Sequence, residues 1–122
     1  ASGDSSSATA ETFLRLGEGA YHGHLATTDG VVAVLFSHPD CSSCRAWKKL
    51  LPVSLAGIAR QLFEVDVSEA TGVARYFDIF HLPTLYLYRD GHFHAELQCE
   101  ASTPAIRQTA IDLLAAPGQD EP

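Results

Sequence analysis

Cys41 and Cys44 flank Ser42 and Ser43 at the junction between an apolar run, Val31-Val32-Ala33-Val34-Leu35-Phe36, and a helix-like stretch from Arg45 to Leu51. Two cysteines at this spacing and place suit reversible dithiol–disulfide chemistry. One thiol stands at the helix start, and the other lies one turn inward, close enough to close a small ring. A helix N-terminus presents unpaired N–H groups and a partial positive charge, which favour thiolate over thiol. The thiolate is the attacking species in disulfide exchange. A structural disulfide and half of a zinc site use the same residues. A structural zinc site takes four ligands, however, and there is no second Cys-x-x-Cys to complete one.

The rest of the chain has to hold that pair in place. Its 122 residues suit one domain with one core. A hydrophobic content of 46% and a mean hydropathy near zero describe a soluble globular chain, and no apolar run approaches a membrane span. A net charge of −7 without a basic stripe argues against nucleic acid as a partner. Three cysteines are too few for a disulfide-stapled scaffold; they fit one working pair plus one extra. The chain contains no Met, so its natural start is expected elsewhere. Ala1 to Ser7 fits either the product of signal cleavage or a cloning remnant, which leaves the compartment open between cytoplasm and periplasm.

Residues 1–8 are small and polar and are expected to be a disordered segment, with a domain over 9–116 and a polar tail over 117–122. The pattern predicts a helix over 9–21 with Phe13, Leu14, Leu16 and Ala20 apolar, then a turn at Thr27 to Gly30 and a buried strand over 31–37. A long helix over 42–60 follows, kinked or split at Pro52. Leu62 to Val67 is the next strand, and Ser68 is the N-cap of a helix over 69–77. Leu85 to Tyr88 and Phe93 to Cys99 form a hairpin around Asp90-Gly91, and Thr103-Pro104 opens the last helix, with Thr103 as its cap and Pro104 at the first position. Strands separated by helices imply parallel pairing, and the late hairpin adds an antiparallel edge. The fold class is therefore α/β: a mixed sheet of about four strands with helices on both faces.

This order, with Cys-x-x-Cys after the first core strand and His81-Leu82-Pro83-Thr84-Leu85 before the hairpin, resembles the thioredoxin superfamily over about residues 30–115. Phe36, Asp66, Pro83, Thr84 and Gly91 stand where the family pattern puts them. The resemblance implies that Pro83 is the cis-proline facing the cysteine pair, shaping with Leu82 and Thr84 a groove for an extended peptide. It also implies that Cys41 is the nucleophile, that Cys44 resolves the mixed disulfide, and that Ser42 and Ser43 replace the Gly-Pro typical of thioredoxins. Other supports are altered too. Asp40 stands where an aromatic residue precedes the first cysteine, Leu35 replaces the buried acid, and Glu64 replaces that acid's lysine partner. Cys99 takes the place of a groove glycine.

Several of these residues are candidates for moving protons or tuning thiolate charge. Glu64 can supply the missing acid from the neighbouring strand, or be a solvated strand residue. Asp40 disfavours a nearby thiolate, whereas His38 and His81, flanking the pair and Pro83, favour it when protonated. His92 and His94 alternate on one strand and are expected to be solvated. Cys99 is either a third redox thiol, a mixed-disulfide site, a metal ligand or a small buried apolar residue.

The resulting expectation is a monomeric thiol–disulfide oxidoreductase. Its partners are protein disulfides or dithiols and an external reductase or oxidase, with no bound cofactor, metal, nucleic acid or membrane. The alternatives are a protein of the same fold that holds copper or zinc, a chaperone for one client, and a redox sensor that locks to a partner through Cys99.

Overall fold

Short, uninterrupted, β-branched runs such as Val31 to Phe36 are stable only where both faces of a strand are covered, and this one becomes the middle of the sheet. The structure, a computed structural model, describes residues 13–17, 19, 21–79 and 81–119. Its elements are β1 (Phe13–Arg15), α1 (Tyr21–Ala26), β2 (Val31–Ser37), α2 (Ser42–Ser54), β3 (Gln61–Asp66), α3 (Thr71–Tyr76), β4 (Thr84–Arg89), β5 (His92–Glu96) and α4 (Thr103–Ala115). The sheet order is β1-β3-β2-β4-β5. β1 and β2 run parallel to β3, while β4 runs antiparallel to both β2 and β5.

Because side chains alternate across a strand, each face of the sheet carries its own core. Val32, Val34 and Phe36 join Tyr21, Leu25, Val73, Phe77, Tyr86 and Tyr88 under α1 and α3. On the other face Ala33 and Leu35 join Leu51, Leu55, Leu87, Ile106 and Ala110 under α2 and α4. The first core is aromatic, and a buried polar link joins Tyr21 Oη to Tyr88 Oη at 2.8 Å. No helix among the described residues is long and apolar enough to cross a membrane.

The mixed sheet between helical layers is as expected, but it has five strands rather than about four. The fifth is β1, which lies where a helix was expected. Phe13, Leu14 and Arg15 pair with Leu62, Phe63 and Glu64. Phe13 packs on the α2 side and Leu14 is turned out, half exposed. A short apolar run fits either periodicity, and the unfilled edge of β3 decides for strand. Within the described residues α1 begins at Tyr21, where the expected helix was to end. Ala20, residues 1–12 and residues 120–122 lie outside the described residues, and so do the expectations that fall on them.

α2 stops at Ser54 instead of reaching residue 60. Pro52 falls in its last turn and does not split it. Arg107 of α4 donates to the Ser54 and Ala56 carbonyls at 3.3 and 2.9 Å, closing the frayed end. Ser68 is not the cap of α3. Its hydroxyl and N–H both turn back to Asp66 Oδ1, and Ala70 takes the cap position. Ser102, not Thr103, caps α4.

The hairpin turn has Asp90 at φ 51° and Gly91 at φ 85°, both left-handed, as a two-residue hairpin requires. Gly91 is also sterically required, since a Cβ there would stand 2.8 Å from the Ala26 carbonyl oxygen. Beyond the turn, β5 carries one extra residue: Leu87 pairs with Ala95 while Tyr88 pairs with Phe93. The bulged residue is His94. The bulge breaks the alternation that would have left it beside His92 in solvent. His94 is buried instead, with Nε2 2.7 Å from the Leu113 carbonyl oxygen, while His92 is exposed. Its own carbonyl accepts the Gln119 N–H, so the chain after α4 is tied back to β5.

Candidate redox site

Cys41 is the N-cap residue of α2. Its backbone is extended, at φ −94° and ψ 107°, and Cys44 N–H points at its Sγ from 3.1 Å. Cys41 and Cys44 form a disulfide with Cα atoms 5.2 Å apart. Cys41 is partly exposed and Cys44 is 1% exposed, so solution reaches the first cysteine and not the second. Ser42 and Ser43 are exposed in the first turn. The N–H aimed at Cys41 Sγ, with the helix dipole behind it, stabilises negative charge there once the bond is reduced.

Glu64 is buried rather than solvated, at 8% exposure. It is the register partner of Leu35, so the two side chains lie on the same sheet face, under α2. Its Oε2 accepts the Ser37 hydroxyl at 2.7 Å and meets Lys48 Nζ at 3.1 Å, and Arg15 Nε lies 3.8 Å from Oε1. Glu64, Ser37, Lys48 and Cys44 line one cavity of about 260 Å³. The only buried carboxylate besides Glu64 among the described residues is Asp66, in the same cavity wall. The Ser68 hydroxyl chiefly holds the Asp66 carboxyl below its ordinary value; burial opposes this, and the Ser68 N–H, Arg15 and His38 add to it.

His38 lines the cavity as well. Its Nδ1 accepts the Asp40 N–H at 3.1 Å, and Asp40 Oδ2 lies 4.0 Å from the same nitrogen. An atom accepting one N–H cannot donate to the carboxylate at the same time, so the shorter contact sets its role. The Asp40 side chain is 93% exposed.

The Leu82–Pro83 peptide bond is cis. Leu82 packs against the aromatic core, and buried Thr84 donates its hydroxyl to the His81 carbonyl. On the other side of α2 from Glu64, Trp47, His81, Pro83 and Cys99 wall a groove of about 580 Å³. His81 is exposed there. Cys99 is half-buried against the α2–α4 core. Burial, with Glu100 beside it, pushes its thiol up from the ordinary value, and a hydrogen bond with Thr109 offsets this in part. Among the described residues, no group of three or more His, Cys, Asp and Glu side chains is gathered so as to hold a metal ion.

Sequence reasoning did not place Ser37, Lys48 and Arg15 against Glu64. Lys48 had a signal, lying one helical turn beyond Cys44 (i, i+4). Ser37 had a weaker one, two strand positions beyond Leu35. Arg15 had none, since its place depends on β1 being a strand.

A mixed sheet between two helical layers, with a disulfide at the start of the helix after the central strand and a cis-proline opening β4, defines a thioredoxin-like protein. The Thioredoxin family model matches residues 12–112, and the chain belongs to that family. Among solved structures, human ERp44 in its zinc-bound form is similar in fold, with a TM-score of 0.69 and 19% identity over 82% of this chain. The chain spans only 30% of that protein's length. A comparison with curated proteins finds no match.

Proposed function

We propose that the chain is a thiol–disulfide oxidoreductase that exchanges disulfides with protein substrates through Cys41 and Cys44. The observation that carries this reading is the pair itself, a disulfide between a partly exposed cysteine capping a helix and a buried cysteine one turn on. In the reducing direction, Cys41 thiolate attacks one sulfur of a substrate disulfide. The substrate S–S bond breaks, a mixed disulfide forms, and the released substrate sulfur takes up a proton. Cys44 then gives up its proton and attacks Cys41 Sγ. The mixed disulfide breaks, the second substrate thiol leaves with a proton, and the Cys41–Cys44 bond remains. Two electrons have passed to the substrate, and an external reductase returns them. The reverse sequence oxidises a substrate dithiol and needs an external oxidase, with direction set by reduction potential against the compartment.

Glu64 is the group that takes the Cys44 proton, across the cavity that the two line. Ser37 and Lys48 hold its carboxylate in place. The groove at Trp47, His81, Pro83 and Cys99 receives the substrate segment next to the pair. Reduction of insulin disulfides with dithiothreitol as electron source tests the reading. Wild type accelerates it and Cys41→Ser does not. Absence of turnover by wild type, or full turnover by Cys41→Ser, refutes the proposal.

A further inference from the structure

We propose that the groove between α2 and β1 docks an acidic peptide segment carrying apolar side chains, on the side of α2 away from the groove at Pro83. The chain holds eight Lys and Arg residues against a net charge of −7, yet four of the eight line this one groove with a single acid, Glu64. Arg15 and Lys48 are occupied, Lys48 with Glu64 and Arg15 with Glu64, Asp66 and Glu69. Arg45 and Lys49 are exposed and differ: Arg45 donates to the neutral Pro39 carbonyl, and Lys49 has no acidic neighbour within ion-pair distance among the described residues. The two lie four residues apart, on one stripe of α2, where like charges repel. An anionic partner relieves that repulsion.

The next position on the stripe is Val53, 64% exposed. With Phe13 and Pro52 it makes an apolar floor beneath the cationic rim, in an open groove of about 1030 Å³. A small anion would need the cations to converge on one point. Here they are spread along a helix, and the opposite wall is an edge strand. β1 pairs with β3 alone among the described residues, so its outer side can take up an extended backbone. Charge, floor and edge together fit an extended acidic segment with one or two apolar anchors. The inference is independent of redox turnover, because it concerns binding to the oxidised protein.

The test is the fluorescence anisotropy of a labelled peptide of two leucines among six glutamates, titrated with the full oxidised chain. Binding is expected at about 0.05 M salt and weakens at least about tenfold by about 0.5 M, as screening shortens the reach of exposed charges. Lys49→Glu and Val53→Asp each weaken it about tenfold, whereas Arg75→Glu, which makes the same charge change on α3, leaves it unchanged. A Cys41→Ser, Cys44→Ser double variant binds like wild type, which separates this outcome from failure of the insulin assay. Equal affinity for the glutamine version of the peptide overturns the acidic class, and wild-type affinity in Lys49→Glu overturns the site. Sedimentation showing a dimer that Val53→Asp dissociates makes a second copy the occupant and overturns the proposal.

Discussion

Replacing Glu64 with Gln keeps the size of the side chain and removes only its charge. The structure lets the consequences be separated. Gln retains an acceptor for the Ser37 hydroxyl, so that bond weakens from charge-assisted to neutral, by about 1 kcal/mol. The Lys48 pair and the longer Arg15 contact are lost, but the Lys48 and Arg15 side chains are 39% and 51% exposed, so the two losses together are screened to about 0.5 kcal/mol. Glu64→Gln should therefore cost about 1.5 kcal/mol of stability, or about 5 °C in Tm for a chain of this size. Its effect on chemistry should be larger. A positioned general base contributes roughly a hundredfold or more, so the Cys44 step is expected to slow at least about tenfold at neutral pH. The assay starts from a mixed disulfide between Cys41 and thionitrobenzoate, whose coloured release reports attack by Cys44. In the variant, the rate should be low at neutral pH and climb with hydroxide, while wild type keeps a base-assisted rate. A variant with the lower Tm but an unchanged pH–rate profile would mean that Glu64 only holds Lys48 and Ser37, and the proton-transfer reasoning would be wrong.

Removing the Ser68 hydroxyl should raise the Asp66 pKa toward 3.8, seen by carboxyl-carbon NMR titration, because that hydroxyl is the chief cause of its depression. A group held below its usual value stabilises the fold above pH 3.8, and that stability is lost as pH falls through the folded value. Ser68→Ala should thus cost about 1 kcal/mol at neutral pH and less in acid; an equal cost at both would refute this. Cys99, with its thiol pushed above 9.0, should react with iodoacetamide slowly at neutral pH and quickly only in strong alkali, and Thr109→Val should slow it further; fast alkylation at neutral pH contradicts the burial argument. Ile106 is fully buried between α4 and the sheet, so Ile106→Ala should cost about 3 kcal/mol in urea unfolding, and a cost below about 1 kcal/mol would show that the helix does not pack as described.

The parts legible in the chain were those whose signal is local. The cysteine pair, the central strand and the Asp90-Gly91 turn each declare themselves within a few residues, because capping, φ restriction and strand patterning act over that range; the Pro83 element was legible only through the family resemblance. Where pairing decides, local reading fails. Phe13 to Arg15 suits a helix or a strand equally until the open edge of β3 is known. His94 looks solvated by alternation until a bulge against β4 turns it under α4.

The sequence by itself determined the chemistry on offer, two cysteines at the start of a helix behind a buried strand, and the class of fold that presents them. Tertiary structure alone decided the surroundings of that chemistry. Between the two readings open for Glu64 it chose burial, on Ser37 and Lys48 in the cavity with Cys44; it brought Arg15 to the rim of α2 from a strand no periodicity announced, and it half-buried Cys99, which the resemblance had already put in the groove with Pro83. The physical reason is one of range. Thiol spacing and helix capping are properties of neighbouring residues, whereas burial and charge pairing depend on strand register and sheet order, which bring together residues far apart in the chain.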